Sequence, residues 1–397
     1  MSYRRNLYLT KRGRYSSPLF VVFMQILSVI TILIINNSCN ITSSNNLLVI
    51  DYKSLNSQEI RLPPSILTDF NPTMCKVYFD DKHNKTYLTI FNNKKNQLCL
   101  YNINDSTDNL IKVISSPQNI IDYYIETKDS VYFITDNNNL LLLSGGSLTS
   151  YSITNSKYCS FDSILLQTNY QFPLEKIDLS FFAYSYPDKA LETLNDFQNY
   201  FHRNFDCEIQ FENDHLVCIN SFGKYPDEFQ NQFFYDFNPI RTILSDNKII
   251  YSFEALSDLI IYDRAKHSFQ NIVPPDYGFH SPEPFEFEKL SDYSYIAKYL
   301  TENDRYTNSI YDHFKNRFIR IQSKKTNYEN ADGTIAKWNT KPFNLLIYDS
   351  TFQLQKVVNF PSNKFDNRIL YVSQNGLLLI TLPDNNDERK FYIYKDI

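Results

Sequence analysis

The chain has 397 residues, of which 43% are hydrophobic, and its formal net charge is −5. This composition supplies a large core, and the mixed charges after residue 40 exclude the basic stripe of a nucleic-acid-binding protein. The 31 Tyr and 31 Phe favour strands. Because only 7 Gly are present, the turns are expected to rely on Asn and Asp.

Residues 1–39 have the pattern of an export leader. Basic residues without any acidic neighbour precede an apolar run over 19–35, and Cys39 follows the small Ser38. This arrangement resembles a bacterial lipoprotein signal, in which the cysteine is lipidated and becomes the mature N-terminus. Asn36 departs from that pattern, since an apolar residue usually stands there. An uncleaved membrane anchor and an ordinary cleaved signal remain alternatives.

All three interpretations place the rest of the chain outside the inner membrane. Residues 40–46 are short and polar, which is typical of a tether. We therefore expect a cell-envelope protein, held as an outer-membrane lipoprotein on the periplasmic side, with an inner-membrane signal anchor as the alternative.

A short apolar phrase that closes on Tyr-Asp, or on a similar pair, recurs along the remaining sequence. It occurs at 259–263 and 345–349, with looser copies at 47–51, 98–102 and 391–395. Other short strands surround most copies, giving four strands per unit. Repetition of four-stranded units predicts a β-propeller. Residues 47–397 are thus predicted to form one all-β domain, a six-bladed β-propeller of four-stranded blades.

The last predicted unit shows only three strands before the chain stops. The N-terminal segment has strands but no unit of its own, so we expect an N-terminal strand to close the ring. Closure would remove the exposed edge of an open sheet.

Two units carry long inserts, at 185–206 and 322–342, in the connection between their second and third strands. Both are expected on the same face, where long loops on a rigid scaffold often carry function. Apolar spacing over 188–201 predicts one short helix, which either caps the ring or binds a partner. The second insert holds the single Trp338, which either pins the loop to the body or stacks on a sugar.

Three stretches, 87–101, 251–263 and 311–320, resemble recurrent blocks of an uncharacterised family of Bacteroidota lipoproteins. That family is catalogued as a domain of unknown function and has a TolB-like six-bladed β-propeller. The resemblance covers most of 47–397. It implies the fold and the tether, and it supplies no activity and no site residues.

Few residues carry recognisable chemistry. The sequence has no phosphate-binding loop, nucleophile elbow or H-E-x-x-H motif, and its six His are scattered, so no cofactor is predicted and a metal-ligand set is unknown. Arg317, Arg320 and His313 are candidate ligand or partner contacts if their strand lines a central channel. The alternative is a solvated strand face with paired charges.

Cys207 and Cys218 flank a predicted turn. Export permits a disulfide across that hairpin, and two buried free thiols are the alternative.

The sequence favours a non-catalytic, membrane-tethered propeller that binds an unknown protein or glycan partner through the inserts, because no catalytic site is recognisable. The alternative is a metal-dependent hydrolase or lactonase with its site in the central channel.

Overall fold

The computed structural model describes residues 47–60, 62, 71–92, 94–103, 110–116, 119–137, 139–154, 164–187, 191–212, 215–384 and 388–397. All of them belong to one compact unit, Leu47–Ile397. The predicted leader with Cys39, the tether 40–46 and residues 188–190 of the predicted helix lie outside the described residues. Within the described part, no helix is long and apolar enough to span a membrane.

The described residues form an all-β, propeller-like arrangement of 26 strands in five hydrogen-bonded sheets. Three sheets have four strands each. The first comprises β3 (Lys76–Asp80), β4 (Lys85–Asn92), β5 (Gln97–Asn102) and β6 (Leu110–Ser115). The second comprises β16 (Ile240–Ser245), β17 (Lys248–Ser252), β18 (Leu259–Asp263) and β19 (Ser268–Ile272). The third comprises β24 (Phe365–Ser373), β25 (Gly376–Thr381), β26 (Phe391–Tyr394) and the N-terminal β2 (Ser57–Ile60).

The other two sheets are larger. One has five strands, namely β20 (Arg305–Asp312), β21 (Arg317–Ser323), β22 (Phe343–Tyr348), β23 (Leu354–Phe360) and β1 (Leu48–Asp51). The other has nine, namely β7 (Ile120–Thr127), β8 (Ser130–Thr135), β9 (Asn139–Ser144), β10 (Ser147–Thr154), β11 (Ile164–Gln167), β12 (Glu175–Ile177), β13 (Ser180–Pro187), β14 (Asp206–Glu212) and β15 (His215–Phe222).

The expected six separate sheets are therefore not observed. Two expected units merge because β10 pairs in parallel with β15, with Ile153 opposite Leu216. The N-terminal segment also divides between two sheets, since β2 pairs antiparallel with β26 while β1 pairs in parallel with β23.

Middle strands are apolar along their whole length because both of their faces are covered. In β17, for example, Ile249, Ile250 and Tyr251 are all completely buried. Ile250 packs toward the sheet that contains β20–β23, whereas Ile249 and Tyr251 pack toward β13 and β15. Strands buried on two faces need no polar alternation.

Turns rely on asparagine, as expected from the scarcity of glycine. Five described Asn residues have positive φ, namely Asn84, Asn96, Asn119, Asn316 and Asn363. Gly376 closes the β24–β25 hairpin with φ +135, and an added Cβ would overlap the carbonyl oxygen of Tyr394. That hairpin therefore requires glycine.

Three α-helices interrupt the strands in the described part, where one was expected. α1 (Leu194–Phe201) begins later than predicted, because Thr193 and Asp196 form a capping box that sets its first turn. α2 (Asp227–Asn231) and α3 (Tyr293–Glu302) lie in the connections before β16 and β20. Asp292 caps α3 by accepting hydrogen bonds from the amides of Ser294 and Tyr295, both at 3.1 Å.

Candidate ligand sites

The helices and the second insert share one side of the molecule. Phe197 of α1 contacts Phe233 and Phe287 with ring centroids 5.0 and 5.7 Å apart. Trp338 and Leu300 of α3 belong to the same hydrophobic cluster. Both inserts thus border one hydrophobic cluster, and we call the surface formed by α1, α2, α3 and the loop 324–341 the insert face.

The loop 324–341 is anchored to the end of α3. Lys341 is buried, and its Nζ donates to the carbonyl oxygens of Leu300 and Asn303 at 2.9 and 2.6 Å. Burial holds the pKa of Lys341 well below its usual value. At the other end of the loop, the amide of Lys325 donates to Asp304 at 2.7 Å. The two Lys341 bonds satisfy helix-end carbonyls that would otherwise lack partners.

A cavity of about 360 Å³ opens on this face, and we call it the insert-face pocket. Its volume is in the range of small-molecule sites. Aromatic, aliphatic and charged side chains line it, namely Tyr170, Gln171, Tyr235, Asp236, Glu254, Tyr293, Ile296, Ala297, Leu300, Arg305 and Trp338. Tyr293 is 85% exposed, so an aromatic ring stands in solvent at the rim.

The polar part of the pocket is centred on Arg305, at the start of β20. Its guanidinium contacts the carboxylates of Asp236 and Glu254, and Gln171 donates to Glu254. Within the described residues, Nη1 of Arg305 is buried and has no hydrogen-bond partner. A buried donor without a partner is costly, so this group is suited to a bound ligand.

Two carboxylates share the single Arg305 guanidinium, which favours retention of one proton. Burial raises the pKa of Glu254 to about 8, the Arg305 charge opposes that rise, and Asp236 adds to it. Glu254 is consequently a proton donor near neutral pH, able to donate as well as accept a hydrogen bond.

Trp338 serves both as an anchor and as pocket wall. Its ring lies 5.5 Å from the Arg305 guanidinium and 5.0 Å from that of Arg368. Its carbonyl accepts a hydrogen bond from Asn367 at 3.1 Å. The side chain is half-buried, so it pins the insert to the body while keeping indole surface on the pocket.

Arg320 does not reach any ligand site, and its prediction as a ligand contact is wrong. It is fully buried and donates to Ser252 at 2.8 Å and to the carbonyl of Ser257 at 2.6 Å. The alternation of β21 turns its guanidinium toward β17, where it lies 3.4 Å from the centre of the Tyr306 ring. Arg320 therefore joins two sheets.

Arg317 follows the paired-charge alternative. It donates to Asp312 at 2.8 Å and to the carbonyl oxygen of Ile397 at 2.6 Å. His313, in the turn after β20, does line a cavity, as do Tyr311 and Phe314 beside it. Arg317, Arg320 and His313 thus lie in different surroundings, and none of them lines the pocket that contains Trp338.

That second cavity, which we call the central channel, has a volume of about 940 Å³. Parts of β3, β7, β12, β16, β20 and β24 line it. Tyr170 contributes to the walls of both the channel and the insert-face pocket, so the two cavities meet at this ring.

The disulfide between Cys207 and Cys218 that the sequence allowed does not form, and the alternative of two free thiols holds for Cys207 alone. Cys207 is a buried free thiol, while Cys218 is disulfide-bonded elsewhere. In the β14–β15 ladder, Cys207 lies opposite Ser221 and Cys218 opposite Ile209, with a register shift after Glu208. Burial raises the pKa of Cys207 to about 12, so its thiol is unreactive.

No group of three or more His, Cys, Asp or Glu side chains in the described part is arranged to hold a metal ion. These residues therefore supply no set of metal ligands for the alternative function, a metal-dependent hydrolase with its site in the central channel.

No protein-family model matches the chain, and no curated protein matches it either. Among solved structures, a member of the DUF4221 family from Bacteroides vulgatus aligns with a TM-score of 0.65 at 13% identity, over 85% of this chain and 96% of that one. A putative exported protein from Bacteroides fragilis aligns with a TM-score of 0.46 at 10% identity, over 87% and 98%.

The β-propeller domain of Swd1 from Myceliophteria thermophila aligns with a TM-score of 0.41 at 10% identity, over 86% of this chain and 100% of that one. At such identities a likeness shows the fold alone. The chain is thus similar in fold to a DUF4221 protein from Bacteroides, in line with the resemblance drawn from its strand phrases.

Proposed function

We propose that this protein is a non-catalytic binding module of the cell envelope that holds a saccharide in the insert-face pocket. The observation that carries this proposal is the pairing of aromatic rings with an unpartnered polar group in one cavity. Trp338, Tyr235 and Tyr293 supply flat apolar surface, and Arg305 supplies the free donor.

A sugar matches both parts of the wall. Its ring has an apolar face that packs on an aromatic side chain, and its hydroxyl groups donate and accept hydrogen bonds. Arg305 offers only donors, while Asp236 accepts and the protonated Glu254 does both. Neighbouring hydroxyls would therefore find complementary partners.

The charges of the pocket favour a neutral ligand. Arg305 faces Asp236 and Glu254, and Arg368 is paired with the buried Asp366 at 2.7 and 2.8 Å. Positive and negative groups are nearly balanced, so neither a strong anion nor a strong cation has an unopposed partner here.

The ring architecture that presents this pocket is proposed as six-bladed and closed. Six hydrophobic clusters support it, because each packs between successive groups of strands. One cluster packs β4 and β5 against β24, β25 and β26, so the sheet of β3–β6 is in contact with the sheet of β24–β26.

The tether is proposed from the leader alone. Lipidation of Cys39 would hold the propeller at the outer membrane, on the periplasmic side. Metabolic labelling with a fatty-acid analogue should mark the wild-type chain and not the Cys39→Ala variant. Equal labelling of both would contradict a lipid on this cysteine.

Calorimetric titration with maltose, cellobiose, lactose and chitobiose tests the pocket. We expect at least one of these neutral disaccharides to bind, and Trp338→Ala to weaken that binding about tenfold or more, because a stacked ring contributes on the order of 1 kcal/mol or more.

Tyr328→Ala is the matched control, since Tyr328 lies on the same loop but does not line the pocket. It should leave affinity unchanged. Failure of all four sugars to bind, or equal affinity of wild type and Trp338→Ala, would contradict the proposal. A protein partner that co-purifies and resists the same substitution would support binding elsewhere.

A further inference from the structure

The central channel has an apolar wall that the saccharide proposal leaves unused. Five inner strands each contribute one half-buried β-branched side chain to it, namely Val77, Ile121, Ile243, Ile310 and Val372. These residues each pack on a hydrophobic cluster behind them. Together they form an apolar girdle, a surface that favours a ligand with a hydrocarbon body.

Most charged groups of the channel wall are already neutralised. Lys76 pairs with Asp122 at 2.9 Å and also donates to the carbonyl of Tyr123 at 2.5 Å. Arg241 is fully buried and pairs with Asp206 at 2.8 Å. These pairs hold neighbouring strands together and leave no cation free for a ligand anion.

Among the buried and half-buried charged residues of the wall, Glu175 is the exception. It begins β12, is half-buried and lines the channel. Within the described residues its side chain makes no hydrogen bond and no ion pair. Burial raises its pKa, and the nearby Lys76 and Arg241 oppose that rise. Both of those cations are committed to other carboxylates, which leaves the charge of Glu175 uncompensated.

An aromatic side chain lines the same cavity. Tyr124 lines the channel, and burial and then the Glu175 charge raise its pKa. A tyrosine ring and a carboxylate on the wall of one cavity favour an organic cation, which gains from both the charge and the ring face. A single carboxylate without a cluster of further ligands does not suit a metal ion, which needs several.

We propose that the central channel is a second binding site, for an organic cation with a hydrocarbon body. The ammonium or guanidinium head pairs with Glu175 and Tyr124, and the body lies against the girdle. An anionic head would meet an uncompensated carboxylate, and a neutral head would leave that carboxylate unpaired. This site shares only the Tyr170 wall with the saccharide pocket.

Hexylammonium, hexanoate and 1-hexanol test the inference, since they share one hydrocarbon body and differ in the charge of the head. Calorimetry or ligand-detected NMR is performed at about pH 8 on the chain from Leu47 onward and on the full chain in detergent. We expect hexylammonium to bind about tenfold tighter than either of the other two.

Glu175→Gln should abolish that preference, and Glu175→Asp, which keeps the charge, should retain it. Glu212→Gln removes an exposed carboxylate outside the channel and is the matched control. Because Glu175 has no protein partner, Glu175→Gln should melt at or above the wild-type temperature, so a lost preference cannot be attributed to unfolding.

Comparable binding of all three probes, or an unchanged preference in Glu175→Gln, would overturn the inference. So would the absence of hexylammonium binding at millimolar concentration. Trp338→Ala should leave hexylammonium binding intact, which distinguishes failure of this inference from failure of the saccharide proposal.

Discussion

Buried arginines organise the contacts between strands at the scale of single residues. Arg241 pairs with Asp206, Arg305 bridges Asp236 and Glu254, and Arg320 donates to backbone and hydroxyl oxygens near β17. A planar guanidinium satisfies several acceptors at once. Within the described residues, each of the three leaves one buried N–H without a partner, but Arg305 alone among them lines the insert-face pocket.

The proton retained by Glu254 should make stability depend on pH. Its folded pKa of about 8 exceeds its ordinary value of 4.5, so between these values the native state binds more protons than the unfolded chain. The free energy of unfolding therefore falls as pH rises through this window. Glu254→Gln stays neutral and should flatten the fall, by on the order of a few kcal/mol at most.

Urea unfolding at a series of pH values measures this effect. Glu288→Gln is the control, because Glu288 is exposed and should preserve the wild-type pH dependence. The same slope in wild type and Glu254→Gln would mean that Glu254 is ionised in the native protein throughout the window.

Some of these residues were predictable from sequence and others were not. Trp338 stood out as the single Trp of the chain, placed in a polar insert, and it does line a pocket. Arg320 looked equivalent to Arg317, yet alternation along one strand cannot say which face meets another sheet. Glu254 and Arg305 were missed because their proximity depends on contacts between separate sheets.

At the scale of secondary-structure elements, connections between strands form the candidate saccharide site. The loop 324–341 reaches the pocket only because Lys341 and Lys325 hold it against the end of α3. α3 in turn supplies Tyr293, Ile296 and Leu300 to the pocket. The geometry of the site thus depends on the attachment of one connection to another.

Replacing Lys341 with Met should weaken that attachment. The substitution leaves the carbonyl oxygens of Leu300 and Asn303 buried without their donor, and each lost partner costs about 1 kcal/mol or more. We expect Lys341→Met to lower the free energy of unfolding by about 2 kcal/mol, measured by urea denaturation. Amide exchange at the end of α3 should also accelerate.

Lys337→Met is the matched control, because Lys337 lies in the same loop and is exposed. It should change stability little. Wild-type stability and wild-type exchange in Lys341→Met would show that the loop is held by its other contacts alone.

The recurrent apolar phrases of the sequence predicted the strands better than they predicted the connections between strands. Copies at 98–102, 259–263 and 345–349 fall on the buried strands β5, β18 and β22, because a strand covered on both faces must be continuously apolar. α2 and α3 were missed because aromatic residues such as Phe229 and Tyr295 favour strands as much as helices. Only the tertiary packing of their apolar faces decides whether these segments form helices.

The N-terminal strands connect the two ends of the described chain at the scale of the whole molecule. β2 occupies the edge of β26, and β1 occupies the edge of β23. The sequence predicted an N-terminal strand near the end of the repeat because the last unit was short. It could not predict two different partners, since a lone strand has no signal that selects one open edge over another.

Removing β1 and β2 should therefore expose two strand edges. A chain that begins at Leu62 lacks both strands and about eight ladder hydrogen bonds, each contributing about 1 kcal/mol. We expect its melting temperature to fall by roughly 10 °C relative to a chain that begins at Leu47. The exposed edges of β23 and β26 should also pair between molecules, giving concentration-dependent association in analytical ultracentrifugation.

Adding the peptide 47–60 in trans separates edge exposure from a general loss of contacts. The peptide should bind the shortened chain, raise its melting temperature and reduce its association, because it restores the same two ladders. A peptide that carries Val49→Pro and Gln58→Pro cannot donate backbone hydrogen bonds to those ladders at the two positions. It should have no effect. A shortened chain that stays monomeric and melts at the same temperature as the longer chain would show that β1 and β2 contribute little to stability.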